Sequence, residues 1–157
     1  MIQGMTVPSE TNPKPAPAGY KSGKTCPPMS ARSRARVLIV DDDRVLRNSV
    51  SRLLSTEPDI EVVGEASNGQ DAVTRARTLR PDLVVMDIRM PLMDGIEATF
   101  LIREEWPDMI VVGFSTFAEK SVKARMMKAG AVELLDKGDA VYSLIPTLHR
   151  LWDAHCV

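Results

Sequence analysis

A chain of 157 residues, 44% hydrophobic and 26% charged, is long enough to bury one core and ordinary in composition for a globular protein. Its net charge of −1 gives no global pull toward nucleic acid or an anionic membrane. No apolar run approaches a membrane span and the first residues lack the apolar core of a secretion signal, so the expected compartment is the cytoplasm.

Residues 1–34 differ from the rest. They hold six of the 11 prolines, three glycines and no apolar periodicity, too little to offset chain entropy, so a disordered Pro-rich tail is expected. Five cations and one acid give this segment +4, which leaves residues 35–157 at −5. Met5 and Met29 are alternative starts. The two cysteines, Cys26 and Cys156, stand near opposite ends with too few companion ligands for zinc, and read as free thiols.

From Arg36 the pattern becomes regular. Val37–Val40 reads as a strand, and Asp43–Thr56 as a helix with Val45, Leu46, Val50, Leu53 and Leu54 on one face. Ile60–Ala66 is a second strand, and Asn68-Gly69 turns into a helix carrying Ala72, Val73, Ala76 and Leu79. An apolar run from Leu83 to Asp87 predicts a strand buried on both faces. The third helix spans Ile96–Glu105 and the fourth strand Met109–Ser115. Ala118–Ala129 gives the fourth helix and Val132–Asp136 the fifth strand. A last helix runs toward Trp152; Pro146 predicts a late start, with Ser143 as cap, or a kink. Five strand–helix repeats imply an α/β fold, a doubly wound parallel sheet in a single domain over residues 35–157.

In such sheets ligands gather beyond the carboxyl ends of the strands. Here those ends carry Asp41-Asp42-Asp43, Asp87, Ser115-Thr116 and Asp136-Lys137. Each residue alone has a plain structural use, as a helix cap, a turn or a solvated charge. Together they place several acids, a hydroxyl and an ammonium on one edge. Clustered carboxylates repel one another unless a cation joins them, and a hard ion such as magnesium suits an oxygen-only set.

VLIVDDD at the first strand, MDIRMPLMDG after the third, Ser115 and the lysine of ELLDKGD resemble the receiver domain of bacterial two-component response regulators. The resemblance covers Arg36 to about Trp152. It implies a flavodoxin-like fold with strand order 2-1-3-4-5 and Asp87 as the phosphoacceptor, charged by a sensor histidine kinase or a phosphotransfer protein. Magnesium would be held by Asp42, Asp87 and the Arg89 backbone carbonyl, with Asp41 acting through water. Ser115 and Lys137 would meet the phosphoryl group. Three departures stand out. Leu134 occupies a switch position that is often aromatic, Gly138 replaces a frequent proline after Lys137, and Thr116 is bulkier than the usual residue. Arg89 and Phe117 flank the approach of water to the phosphorus and, with Thr116, are expected to modulate access.

The expected function is a signalling phosphoacceptor in a phosphorelay, catalysing only its own phosphorylation and slow dephosphorylation and switching an unknown protein partner. Neither nucleic acid nor membrane binding is expected. The alternative is the receiver portion of a truncated or diverged helix-turn-helix transcription regulator, although no such unit is expected after Val157. A hydrolase with an aspartyl nucleophile is disfavoured, because its second acid would stand where Arg89 is.

Overall fold

The computed structural model describes residues 34–116 and 119–156. The expected tail up to residue 33 lies outside the described residues, and with it Cys26; so do Phe117 and Ala118. Arg34 is already engaged, since its guanidinium donates to the Pro58 carbonyl at 2.8 Å.

The described strands are β1 (Ala35–Val40), β2 (Ile60–Ala66), β3 (Leu83–Asp87), β4 (Ile110–Ser115) and β5 (Glu133–Asp136). They alternate with α1 (Arg44–Ser55), α2 (Gly69–Leu79), α3 (Gly95–Glu105), α4 (Lys120–Ala129) and α5 (Ala140–His155). All strand pairs are parallel, in the order β2-β1-β3-β4-β5. This is the expected topology. Strand order reverses between β1 and β3, so the crevice at their carboxyl ends is where a ligand is expected.

Successive residues of the central strands point to opposite faces and feed two apolar layers. Leu38, Val40, Val84, Met86 and Val111 pack with Ala72, Ala76, Ala98, Ile102 and Met126 from α2, α3 and α4. Val37, Ile39, Val85, Val112 and Phe114 pack with Val50 and Leu54 of α1 and Leu144 and Leu148 of α5. Each fully buried aliphatic side chain contributes about 1.5–3 kcal/mol relative to exposure, which explains why β3 tolerates no polar residue before Asp87. Side-chain caps fix the starts of α1, α2 and α3. Asp43 accepts from the Val45 and Leu46 amides at 2.8 and 3.3 Å, while Asn68 and Asp94 cap α2 and α3 at 2.8 Å each.

Trp106 closes α3 at the opposite end of the sheet, near the start of β4. It is buried, with the Arg80 guanidinium 5.0 Å and the Arg77 guanidinium 6.0 Å from its ring centroid.

Three expectations need correction. Val45 is 73% exposed, because it lies in the first turn of α1, beyond the apolar layer that Val50 and Leu54 enter. Helix α5 starts at Ala140, not after Ser143, and carries Pro146 inside it. The carbonyl deprived of its donor belongs to Tyr142, which is 83% exposed, so water can replace the lost bond. Cys156 is not a free thiol.

Candidate functional site

Asp41 follows the last residue of β1, and Asp87 is the last residue of β3. Burial leaves Asp41 only 2% and Asp87 only 5% exposed, whereas Asp42 is open to solvent. The three acids offer oxygens that all lie within 4.8 Å of one another. Lys137, directly after β5, reaches between the two buried acids. Its Nζ stands 2.5 Å from Asp41 Oδ2 and 3.1 Å from Asp87 Oδ1. The other contacts are backbone amides. Asp41 Oδ1 accepts from Asp43 N–H at 2.9 Å, and Asp87 Oδ1 from Ile88 N–H at 2.8 Å.

The loop after Asp87 is tightly closed. The Gly95 amide donates to the Ile88 carbonyl at 2.8 Å, and the Met93 amide to the Pro91 carbonyl at 2.8 Å. A Cβ on Gly95 would stand 1.8 Å from the Asp87 carbonyl oxygen, so only glycine permits α3 to start against the strand end. Leu92 sits at φ 68° in this loop, in the left-handed region. On the other side of the pocket Lys137 opens a single 3-10 turn, Lys137–Asp139. Gly138 supplies an amide that a proline would lack, and the Asp136 carboxylate accepts it at 2.7 Å. The turn is thereby held without the proline.

Electrostatics follow from this packing. Burial first, and then the neighbouring Asp41 charge, push the Asp87 carboxyl up from its ordinary 3.8 to about 6, against the pull of Lys137. For Lys137 burial acts downward, but the hydrogen bond to Asp41 and the charges of Asp87 and Asp41 hold the ammonium above its ordinary value. Asp41 Oδ2 is fully buried, and the Lys137 ammonium is what meets it there. Three carboxylates answered by one ammonium leave negative charge uncompensated at the strand ends, which suits a hard divalent cation that binds through oxygen.

The remaining expected residues are distributed unevenly. Ser115 is buried at the end of β4, one residue beyond Phe114, which pairs with Asp87 across the sheet. Thr116 and Arg89 are exposed, and Phe117 lies outside the described residues. Leu134 is not in the pocket. It is buried in the layer under α4, where its Cδ1 and the Met126 side chain fill the space that the missing Cβ of Gly113 leaves.

One contributor was missed by sequence reasoning. Arg47 of α1 donates to the Asp41 carbonyl at 2.6 Å and to Glu65 Oε2 at 3.2 Å, bracing the turn that presents the acids. Its signal was an arginine one helical turn after the capping Asp43, on the side facing the strand end. In a second cluster, Glu57, Asp59 and His149, the imidazole Nε2 lies 3.6 and 3.2 Å from the two acids, away from the strand ends.

Comparison with known proteins agrees with this geometry. The sequence profile of the response regulator receiver domain matches residues 37–147. A protein-glutamate methylesterase/protein-glutamine glutaminase of Nocardioides sp. is 45% identical over 121 residues, covering 76% of this chain and 33% of that protein. The response regulator protein VraR of Staphylococcus epidermidis is 37% identical, over 78% of this chain and 58% of its own. Thus the chain spans a third to about three-fifths of these relatives' lengths. A solved two-component response regulator of the LuxR family from Aurantimonas sp. superposes with a TM-score of 0.74 at 30% identity, covering 78% of this chain and 87% of that one. With the profile spanning most of the described fold, and the acids and lysine meeting at the strand ends, the chain belongs to the receiver domain family of two-component response regulators.

Proposed function

We propose that Asp87 is the phosphoacceptor of this receiver and that its phosphorylation by a sensor histidine kinase or phosphotransfer protein switches the binding of a downstream protein. The observation that carries this reading is the buried Asp87 carboxylate at the end of β3, with the Lys137 ammonium 3.1 Å away. A carboxyl titrating at about 6 is ionised at neutral pH, so a carboxylate oxygen is available as the nucleophile. It attacks the phosphorus of the phosphohistidine; the P–N bond breaks, its electron pair returns to the imidazole, and an aspartyl phosphate remains. Lys137 exchanges part of its contact with Asp87 for a phosphoryl oxygen, and the Ser115 hydroxyl donates to another. Magnesium, bound by Asp42, Asp87 and the Arg89 carbonyl with Asp41 acting through water, would supply neutralisation of the charge on the transferring group.

The receiver's own chemistry is proposed to be confined to gaining and losing this phosphoryl group. Treating the protein with a small phosphodonor and magnesium should add one phosphoryl mass, and Asp42→Asn should slow the reaction greatly. A second reading, the receiver portion of a transcription regulator, is favoured by the likeness to the LuxR-family regulator. Nanomolar binding of this chain alone to a defined duplex at physiological salt would support it.

A further inference from the structure

The loop that carries Arg89 is pinned from outside by the start of α2. The first amides of a helix have no partner within it. In α2 the amide of its first residue, Gly69, donates to the Met93 carbonyl at 2.9 Å. Asn68 takes a different amide, that of Asp71, so capping and pinning use separate donors. The fit allows no side chain. A Cβ on Gly69 would stand 2.5 Å from the Met93 carbonyl oxygen and 2.9 Å from that of Asp94, where ordinary contact begins at 3.4 Å. Both obstacles are backbone, which cannot rotate aside as a side chain can.

The pinned loop is also closed on itself. Gly95 N–H to Ile88 O and Met93 N–H to Pro91 O bracket residues 88–95, and the Met93 side chain packs on the core. A displacement forced on Met93 and Asp94 is therefore passed back to Arg89. We infer that Gly69 is a positioning residue for the phosphoacceptor site: its amide, through Met93, sets where the Arg89 backbone carbonyl stands. This rests on the proposed use of that carbonyl for magnesium. Coupling between two events is reciprocal. If the pin favours the metal-binding form of the loop, magnesium must in turn strengthen the pin.

Calorimetric titration of magnesium into the full chain tests this. Gly69→Ala should weaken magnesium binding about tenfold, the size of effect typical for groups that orient metal ligands. The matched control is Gly64→Ala in the middle of β2, whose Cβ would meet the flexible end of Leu79 at the same 2.5 Å. It should lower the thermal midpoint and leave magnesium affinity unchanged. Should Gly69→Ala not fold, hydrogen exchange at the Gly69 amide of the wild type gives the second readout, and magnesium should slow it several-fold. Unchanged affinity in folded Gly69→Ala, or unchanged Gly69 exchange on adding magnesium, overturns the inference alone. A wild type that binds no magnesium overturns the metal reading and this inference with it.

Discussion

Strand β3 carries a buried acid at each end, and the two are used in opposite ways. Asp82, just before the strand, is answered by backbone. Its Oδ2 accepts the Arg36 amide at 3.0 Å, its own amide donates to the Arg36 carbonyl at 2.8 Å, and its carbonyl accepts from Ile110 at 3.0 Å. It thus stitches β1, β3 and β4 together where they begin. Asp87, at the far end, faces another carboxylate and one shared ammonium. Burial is similar, 8% exposure against 5%. What marks Asp87 is a second buried carboxylate beside it and one ammonium shared between the two. A buried acid with fixed partners serves the fold, whereas one with an unbalanced charge nearby is open to chemistry.

Exchanging the roles is the most direct way to break this contrast. Asp87→Asn should abolish phosphoryl uptake from a small donor, read as the absence of the added mass. Asp82→Ala should keep the uptake and lose stability instead. Leaving the Arg36 amide without its acceptor costs about 1–3 kcal/mol, which is several degrees in thermal midpoint. Equal phosphorylation of Asp87→Asn and wild type would sink the assignment of the acceptor.

Acidity sharpens the contrast further. In the metal-free protein the folded-state value for Asp87, about 6, lies above its ordinary 3.8. Between those values the folded chain binds more protons than the unfolded one, so this group's contribution to stability falls as pH rises through the window. The full cost of its charge persists above about pH 6. Relative to wild type, Asp87→Asn should therefore melt a few degrees higher at about pH 7.5 and show no such gain at about pH 4. A constant difference across both conditions would mean that the Asp87 charge is not the strained element. Adding magnesium at neutral pH should raise the wild-type midpoint, as any ligand of the folded state does.

The smallest expected effect concerns the rim of the site. Arg89 is exposed two residues after Asp87, and Phe117 stands two after Ser115 in the sequence. Both are proposed to hinder water on its way to the phosphorus, Arg89 by reaching an oxygen with its planar fork. The double change Arg89→Ala, Phe117→Ala should speed loss of the phosphoryl group several-fold after donor removal, with magnesium affinity unaltered. Decay at the wild-type rate, or slower, would refute shielding.

Much of this was legible before any coordinates, because it depends on periodicity and on strand ends. Alternating apolar runs gave five strands and five helices, and Asp41, Asp42, Asp87, Ser115 and Lys137 share one edge because parallel strands end on the same side. What stayed hidden depends on contacts across space. A helical stripe shows which face turns inward but not where the sheet beneath it stops, which is why Val45 read as core. Arg47 could not be tied to the Asp41 carbonyl, nor Gly69 to Met93, without knowing how close the turns approach. The packing of Leu134 with Met126 over Gly113 likewise depends on contacts that the sequence does not show.

Trp106, lodged under two guanidinium groups at the opposite end of the sheet from Asp87, has an optical consequence. The chain has two tryptophans, and the other, Trp152, is half-buried near the end of α5. A buried indole beside fixed cations emits from a dry, polarised setting that collapses when α2 and α3 part. Emission should therefore shift to longer wavelength on unfolding and remain almost silent when a phosphoryl group joins Asp87. Fluorescence in this protein is a gauge of the fold's integrity, and a separate probe near α4 or the Arg89 loop is needed to watch the signal itself.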